Sequence, residues 1–295
     1  MKRQYADARV IPYPKYWRFA AAANRSVRHK PMIHGLIEVD VTAPRAIMRD
    51  YKAKTGETLS FTAFLVACLA KAVDEHKGVQ AMRLGGRRLV LFDDVDINTR
   101  IEREMGGQKY VIPYIIRAAN RKTFRQAHDE IRAAQRADAR GLVKRFRVFS
   151  ILPTILYASF VGVFTAIGRQ RPRVWKQAMG TVGLTSVGMF GTGAGWGIPA
   201  SSPTPLMLTV GGISAKGVDV DVDGQLTTRE YLSLTVSVDD NLVDGAPAAR
   251  FTQRLKELIE SGYGLSDYIS DQENAAAGGR PQKEMVAARP GPQQS

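Results

Sequence analysis

Cysteine is nearly absent from this chain. The single Cys68 among 295 residues excludes an internal disulfide and fits a reducing compartment, so a cytoplasmic location is expected. It lies in an apolar helical run, LSFTAFLVACLAKAV, where it reads as a small buried hydrophobe rather than a nucleophile. Acidic residues are scarce as well: 28 Asp and Glu stand against 42 Lys and Arg, a net charge of +14. Such an excess can draw nucleic acid, an anionic membrane face or a polyanionic small molecule. The opening MKRQYADARVIPYPKYW lacks the apolar core of a signal peptide. The glycine-rich stretch GTVGLTSVGMFGTGAGWG has neither a Lys-Ser/Thr ending nor G-x-G-x-x-G spacing, which removes a phosphate loop. Hydrophobic residues make up 44%, ample for one large domain or two small ones.

The chain is organised around Glu230 to Gly262, EYLSLTVSVDDNLVDGAPAARFTQRLKELIESG. Leu232, Leu234, Val236 and Val238 alternate with Ser233, Thr235 and Ser237, the period of a strand with one buried face. Ala246, Ala249, Leu255, Leu258 and Ile259 then follow helical spacing, with Gly262 as a C-terminal cap. An acidic turn, Asp239-Asp240-Asn241-Leu242-Val243-Asp244-Gly245, joins the two elements. Elsewhere the pattern predicts a strand over 33–42, a helix from near Pro44, a Ser60-capped apolar helix to Glu75, paired strands from Leu89, a strand to Arg117 and an amphipathic helix from about Thr123.

Three segments stand apart. Residues 1–30 form a basic arm with Tyr5, Tyr13, Tyr16, Trp17 and Phe19; no binding module follows it, so the arm is expected to pack on the domain and nucleic acid is not the expected partner. Residues 270–295, rich in Gly, Pro, Gln and Ala, read as a disordered tail. Within the insertion at 141–179, Val148 to Gly168 carries 21 residues without a charge between basic flanks. Its length suits a membrane span, but a single crossing would put the blocks on either side of it on opposite faces of a bilayer; an interfacial or re-entrant hairpin or a buried helix pair lining an acyl tunnel or subunit contact is expected instead. Asp219-Val220-Asp221-Val222-Asp223-Gly224 with Glu230 satisfies the calcium-loop pattern, but its flanks alternate as strands and Asp223-Gly224 is a hairpin turn. No metal is expected.

Several of these residues carry a resemblance. The acidic turn is similar to the D-H-R-x-x-D-G-A motif in the catalytic domain of the dihydrolipoamide acyltransferases of 2-oxoacid dehydrogenase complexes, which are chloramphenicol acetyltransferase-like. Asp239, Asp244, Gly245 and Ala246 match, Asp240 stands at the histidine and Asn241 at the arginine. IHGLIEVDVT, VIPYIIR and GTVGLTSVGMFG resemble further blocks of that family in the same order, so the likeness covers about 230 residues. It implies an α/β two-layer sandwich over 31–269, a mixed sheet with helices on one face, and a homotrimer with active sites between subunits. It also implies coenzyme A or acyl-coenzyme A as substrate, Thr185 at the position of the serine that stabilises the oxyanion, Ser186 at the asparagine position, and His34 near the start of the domain as a ligand-binding candidate. The family's histidine is the general base that deprotonates a thiol. A carboxylate near ~3.9 is mismatched to a thiol near ~8.5 by more than four units, roughly 6 kcal/mol, about twice the mismatch of imidazole. Asp240 serves as a base only with a raised pKa, which crowding by Asp239 and Asp244 would favour; otherwise the carboxylates simply complement the helix dipole. With no lipoyl attachment site recognised in the chain, the expected activity is that of a standalone acyltransferase with an unidentified acceptor. The alternative is a catalytically inactive trimeric relative acting as a scaffold or ligand-binding module.

Overall fold

The computed structural model describes residues 30–105, 108–137, 154–188, 193–220, 226–266 and 268–269, with isolated positions 13, 21, 24 and 25. Nearly all of the basic arm, the first part of the insertion, the 221–225 turn and the 270–295 tail lie outside the described residues.

In chain order the elements are β1 (Met32–Asp40), α1 (Thr42–Thr55), α2 (Phe61–Glu75), β2 (Met82–Leu84), β3 (Arg88–Val90), β4 (Ile97–Met105), β5 (Gln108–Ile116), α3 (Phe124–Arg136), α4 (Thr154–Gln170), α5 (Pro172–Met179), β6 (Val182–Ser186), β7 (Leu206–Val220), β8 (Leu226–Asp239) and α6 (Gly245–Glu260). Six strands form one mixed sheet in the order β1-β8-β7-β6-β4-β5. The β7–β6 and β6–β4 pairs are parallel and the others antiparallel. The paired strands expected from Leu89 are only a short β2–β3 ladder in a separate sheet, because the chain after Val90 turns away before β4 begins.

The core lies between one sheet face and the helices. Val182 and Leu184 of β6, Leu206 and Leu208 of β7, and Leu232, Leu234 and Val236 of β8 are buried on that face. Ten residues of α2 and Phe251, Leu255, Leu258 and Ile259 of α6 are buried with them. Fully burying each such large side chain contributes about 1.5–3 kcal/mol before conformational entropy is counted. Cys68 is one of these residues, its thiol 3.6 Å from the Leu258 carbonyl and pushed up in pKa by burial. On α6 the inward positions include Ala248 and Phe251, while Ala246 and Ala249 face solvent. The expected alanine stripe is thus rotated away from the core, and Phe251 supplies the volume that the alanines lack.

Local sequence explains where helices begin. Ser60 accepts the Ala63 amide at 3.2 Å at the start of α2, and Thr123 with Gln126 forms a capping box at the start of α3. The α3 box lies near a polar cluster that joins three helices. His128 is 2% exposed; its Nδ1 accepts the Ser60 amide at 3.0 Å and its Nε2 lies 3.4 Å from Glu57. Glu57 also pairs with Arg125 at 2.9 Å and accepts the Tyr51 hydroxyl at 3.1 Å.

A second cluster holds the sheet together across its middle. The β4–β6 ladder has two residue pairs, Ile97–Val182 and Asn98–Gly183. Beside it, buried Asp96 receives the Ala118 amide at 3.0 Å, Arg117 at 2.8 Å and Lys176 of α5 at 3.1 Å. Its carbonyl accepts the Thr181 amide at 2.8 Å. Gly180, at φ +75°, permits this approach, since a Cβ there would meet the Asp96 carbonyl oxygen at 2.7 Å. Burial pushes the Asp96 pKa up, but the Ala118 amide, Arg117 and Lys176 outweigh it and hold the carboxyl below its ordinary range.

Two outcomes are expected. Asp96→Ala leaves Lys176 and Arg117 without their shared carboxylate and should cost about 3 kcal/mol in urea unfolding; a loss below the measurement error would show that the clamp is dispensable. His128 titrates below its ordinary value because of burial, with Arg132 and Arg125 adding to the effect. Its contribution to stability is therefore complete above about pH 6.5 and lost as pH falls through the lower folded value. His128→Asn, which keeps an acceptor for the Ser60 amide, should flatten the dependence of melting temperature on pH below about 6.5, and an unchanged slope there would remove His128 as its source.

Candidate functional site

The acidic turn is built around Asp239. Its backbone continues the sheet by donating to the Pro205 carbonyl at 2.9 Å, and its own carbonyl accepts the Leu242 and Val243 amides at 2.9 and 3.0 Å. The carboxylate is buried. One oxygen accepts the Asn241 amide at 3.1 Å and its side chain at 3.2 Å, while the other pairs with Lys30 at 3.2 Å. Lys30 also donates to the Thr204 carbonyl at 3.2 Å. A cation from the end of the basic arm thus neutralises Asp239, so the three carboxylates do not form one crowded set.

Asp240 is exposed, held by its amide on the Pro31 carbonyl at 3.1 Å. Asp244 takes the N-cap position of α6 in extended conformation, but its side chain is exposed and makes no capping bond. The carboxylate that organises the turn is therefore Asp239, not Asp244.

His34 lies on β1, its Nδ1 2.8 Å from the Ser237 hydroxyl. Their register is adjacent to the Met32–Asp239 pair, which places an imidazole one pleat from the turn on the same face. Thr185 and Ser186 are both half-buried on β6. They point to opposite faces, because Thr185 alternates with the core residues Val182 and Leu184 whereas Ser186 shares their parity.

Thr185 stands level with Thr209 on β7 and Thr235 on β8. Both of these partners are buried, and their hydroxyls have no hydrogen-bond partner among the described residues. Sequence periodicity marks Ser233, Thr235 and Ser237 as a solvent face, yet they are 1%, 0% and 0% exposed. The cause is a strap, residues 193–205, that crosses this side of the sheet. Gly195 donates to the Ser233 hydroxyl and accepts the Gly212 amide, and Trp196 donates to the Ile37 carbonyl. At the crossing a Cβ on Gly211 would meet the Gly195 carbonyl oxygen at 2.0 Å. These glycines therefore serve backbone-to-backbone packing.

Thr185 and Asp240 are not brought together within one chain. Thr185 is level with Thr235, five residues before Asp240 on the β8 path and two strands away. At ~3.3 Å per residue and ~4.8 Å per strand the separation is roughly 17 Å along the sheet and 10 Å across it.

A cleft of about 420 Å³ opens beside the turn, within the range of small-molecule sites. Asp239, Asn241 and Lys30 form one side, and Thr165, Gly168 and Trp175 of the α4–α5 hairpin form another, with Arg83 at its margin. The insertion that looked separate in sequence is thus a wall of the cleft. Lys30, Thr209 and Trp175 were not singled out from sequence; only the excess of cations hinted at the first. Among the described residues no group of His, Cys, Asp and Glu could hold a metal ion. The Asp221–Gly224 part of the calcium-loop pattern lies outside them, and its flanks pair as the antiparallel strands β7 and β8.

Comparison with known proteins places this geometry. The family model for the 2-oxoacid dehydrogenases acyltransferase (catalytic domain) matches residues 172–265, the span from α5 through the end of α6. The chain is 28% identical over 250 residues to the lipoamide acyltransferase component of the branched-chain alpha-keto acid dehydrogenase complex of Bacillus subtilis (strain 168), covering 83% of this chain and 50% of that protein. It is 24% identical over 235 residues to the dihydrolipoyllysine-residue acetyltransferase component of the pyruvate dehydrogenase complex of Rickettsia bellii, covering 78% and 47%. The chain therefore spans about half the length of these curated relatives. Among solved structures, the cubic core of the pyruvate dehydrogenase multienzyme complex superposes with a TM-score of 0.61 at 20% identity, covering 88% of this chain and 94% of that one. A probable dihydrolipoamide acetyltransferase from Listeria monocytogenes superposes with a TM-score of 0.57 at 22% identity, covering 87% and 96%. The chain has the mixed-sheet fold of these acyltransferase cores and is similar over residues 172–265, which include the acidic turn and Asp240, to the catalytic domain of the 2-oxoacid dehydrogenases acyltransferase.

Proposed function

We propose that this chain is an acyltransferase that moves an acyl group from a thioester such as acyl-coenzyme A to an acceptor. The observation that carries the reading is the intact frame around the altered motif: the family match covers α5 to α6, and within it Asp239 still fixes the turn that presents position 240. The cleft beside the turn has the size for an acyl or pantetheine segment, and Arg83 at its margin suits an anionic ligand.

In this mechanism the acceptor nucleophile attacks the thioester carbonyl while the Asp240 carboxylate removes its proton. Thr185 donates a hydrogen bond to the oxyanion. Collapse of the tetrahedral intermediate breaks the carbon–sulfur bond, and the departing thiolate takes the proton back from Asp240. The separation of Thr185 and Asp240 within one chain supports a site assembled from two subunits, and we read the assembly as a homotrimer. His34, next to the turn, is the second candidate base.

The exposure of Asp240, whose side chain has no partner among the described residues, favours a second reading, in which the frame has lost its chemistry and acts as a trimeric scaffold or ligand-binding module. Release of free thiol from a panel of acyl-coenzyme A thioesters separates the two. For an enzyme, Asp240→Ala should lower kcat/KM by roughly 10²–10³-fold. Thr185→Val should lower it by roughly 10²-fold while Thr185→Ser stays near the wild type. If turnover persists in Asp240→Ala but disappears in His34→Gln, the base is His34. A silent wild type together with activity in Asp240→His would establish the second reading instead.

A further inference from the structure

The α4–α5 hairpin has an inner and an outer side of different chemistry. Inward, the Trp175 indole packs against Gly168, stacks near Phe164 at 5.7 Å and donates to the Pro203 carbonyl at 2.9 Å. Outward, Leu156, Phe160, Val163 and Ile167 are 56%, 56%, 59% and 44% exposed. Their spacing of four, three and four residues draws one apolar stripe along the helix, and Ser159, Gly162 and Ala166 between them add no charge.

The charge around this stripe is one-sided. From residue 139 to 218 the sequence contains no Asp or Glu and nine Lys or Arg. Arg171 and Arg173 are exposed immediately after α4, and Lys144, Arg145 and Arg147 precede it in the sequence.

We propose that α4 lies in the surface of an anionic lipid bilayer, its stripe among the acyl chains and its flanking arginines on the headgroups. The described part of the helix has 17 residues, about 25 Å, short of the ~30 Å hydrocarbon core. Among the described residues no helix is long and apolar enough to cross a membrane. The strands on either side of the insertion also belong to one sheet, β4 pairing directly with β6, so a single crossing would separate neighbours. A second copy joined two-fold through the stripe fits less well. Face-to-face pairing would bring two sets of Arg171 and Arg173 together, in chains each carrying +14, with no carboxylate from this run to offset them.

The test is flotation of the full chain with vesicles of phosphatidylcholine alone and of phosphatidylcholine mixed with phosphatidylglycerol. Wild type should float with the anionic vesicles, and high salt should weaken this. Leu156→Ser with Val163→Ser, both exposed, should lose at least about tenfold in binding at an unchanged melting temperature. Arg171→Gln with Arg173→Gln should lose about 30-fold. Absence of flotation, or equal flotation of the double-serine variant, overturns the proposal. So does an oligomer that ignores vesicles and dissociates in the double-serine variant, which would assign the stripe to a contact between copies.

Discussion

The two halves of this sheet meet at a seam two residue pairs long, and the buried carboxylate of Asp96 makes that seam hold. On one side stand β4 and β5, on the other β6, β7 and β8 with β1. So short a parallel ladder supplies little hydrogen bonding of its own. Asp96 adds a charge-assisted bond to Lys176, another to Arg117, and backbone bonds to both sides of the seam. Because Lys176 belongs to α5, the same carboxylate fixes where the insertion hairpin sits, and with it one wall of the cleft. Architecture and site therefore share an anchor.

The sheet divides labour between its faces. The helix side is aliphatic and closes the core, while the other side carries a row of hydroxyls crossed by the 193–205 strap, with the His34 imidazole on the same face. Burying Thr209 and Thr235 without partners costs free energy, of order 1–3 kcal/mol for each unpaired hydroxyl. A row of this kind is a poor choice for stability and a suitable one for a surface that must donate to an oxygen atom. Thr185 belongs to that row by register, which gives its position a context that residue type alone does not provide.

What could be read in the sequence was what depends on neighbours in the chain. The alternation of Leu232 to Val238, the cap at Ser60, the helix start near Thr123 and the order of the family's blocks are all local patterns, and they located the motif turn and the fold. What could not be read depends on contacts across the sheet. Ser233, Thr235 and Ser237 looked like a wet face because the strap that covers them is 30 to 40 residues earlier in the sequence. Ala246 and Ala249 have helical spacing, but which arc of α6 turns inward is decided by Phe251 and the packing of α2. Lys30 looked like part of a basic arm, and its partnership with Asp239 crosses almost the whole domain. The separation of Thr185 from Asp240 follows only from the strand register.

The order of strands also bears on how the chain reaches this state. Among the described strands β1 is at the sheet edge and pairs with β8 alone, and His34 and Ser237, paired across them, are 203 residues apart. During synthesis the first strand has nothing to pair with until nearly all of the domain has left the ribosome. Loop closure on this scale is slow, and an apolar edge left waiting is prone to wrong pairing. The pairing of β1 with β8 also brings Lys30 and Pro31 to the acidic turn, so the finished form of the turn depends on a contact between the two ends of the domain.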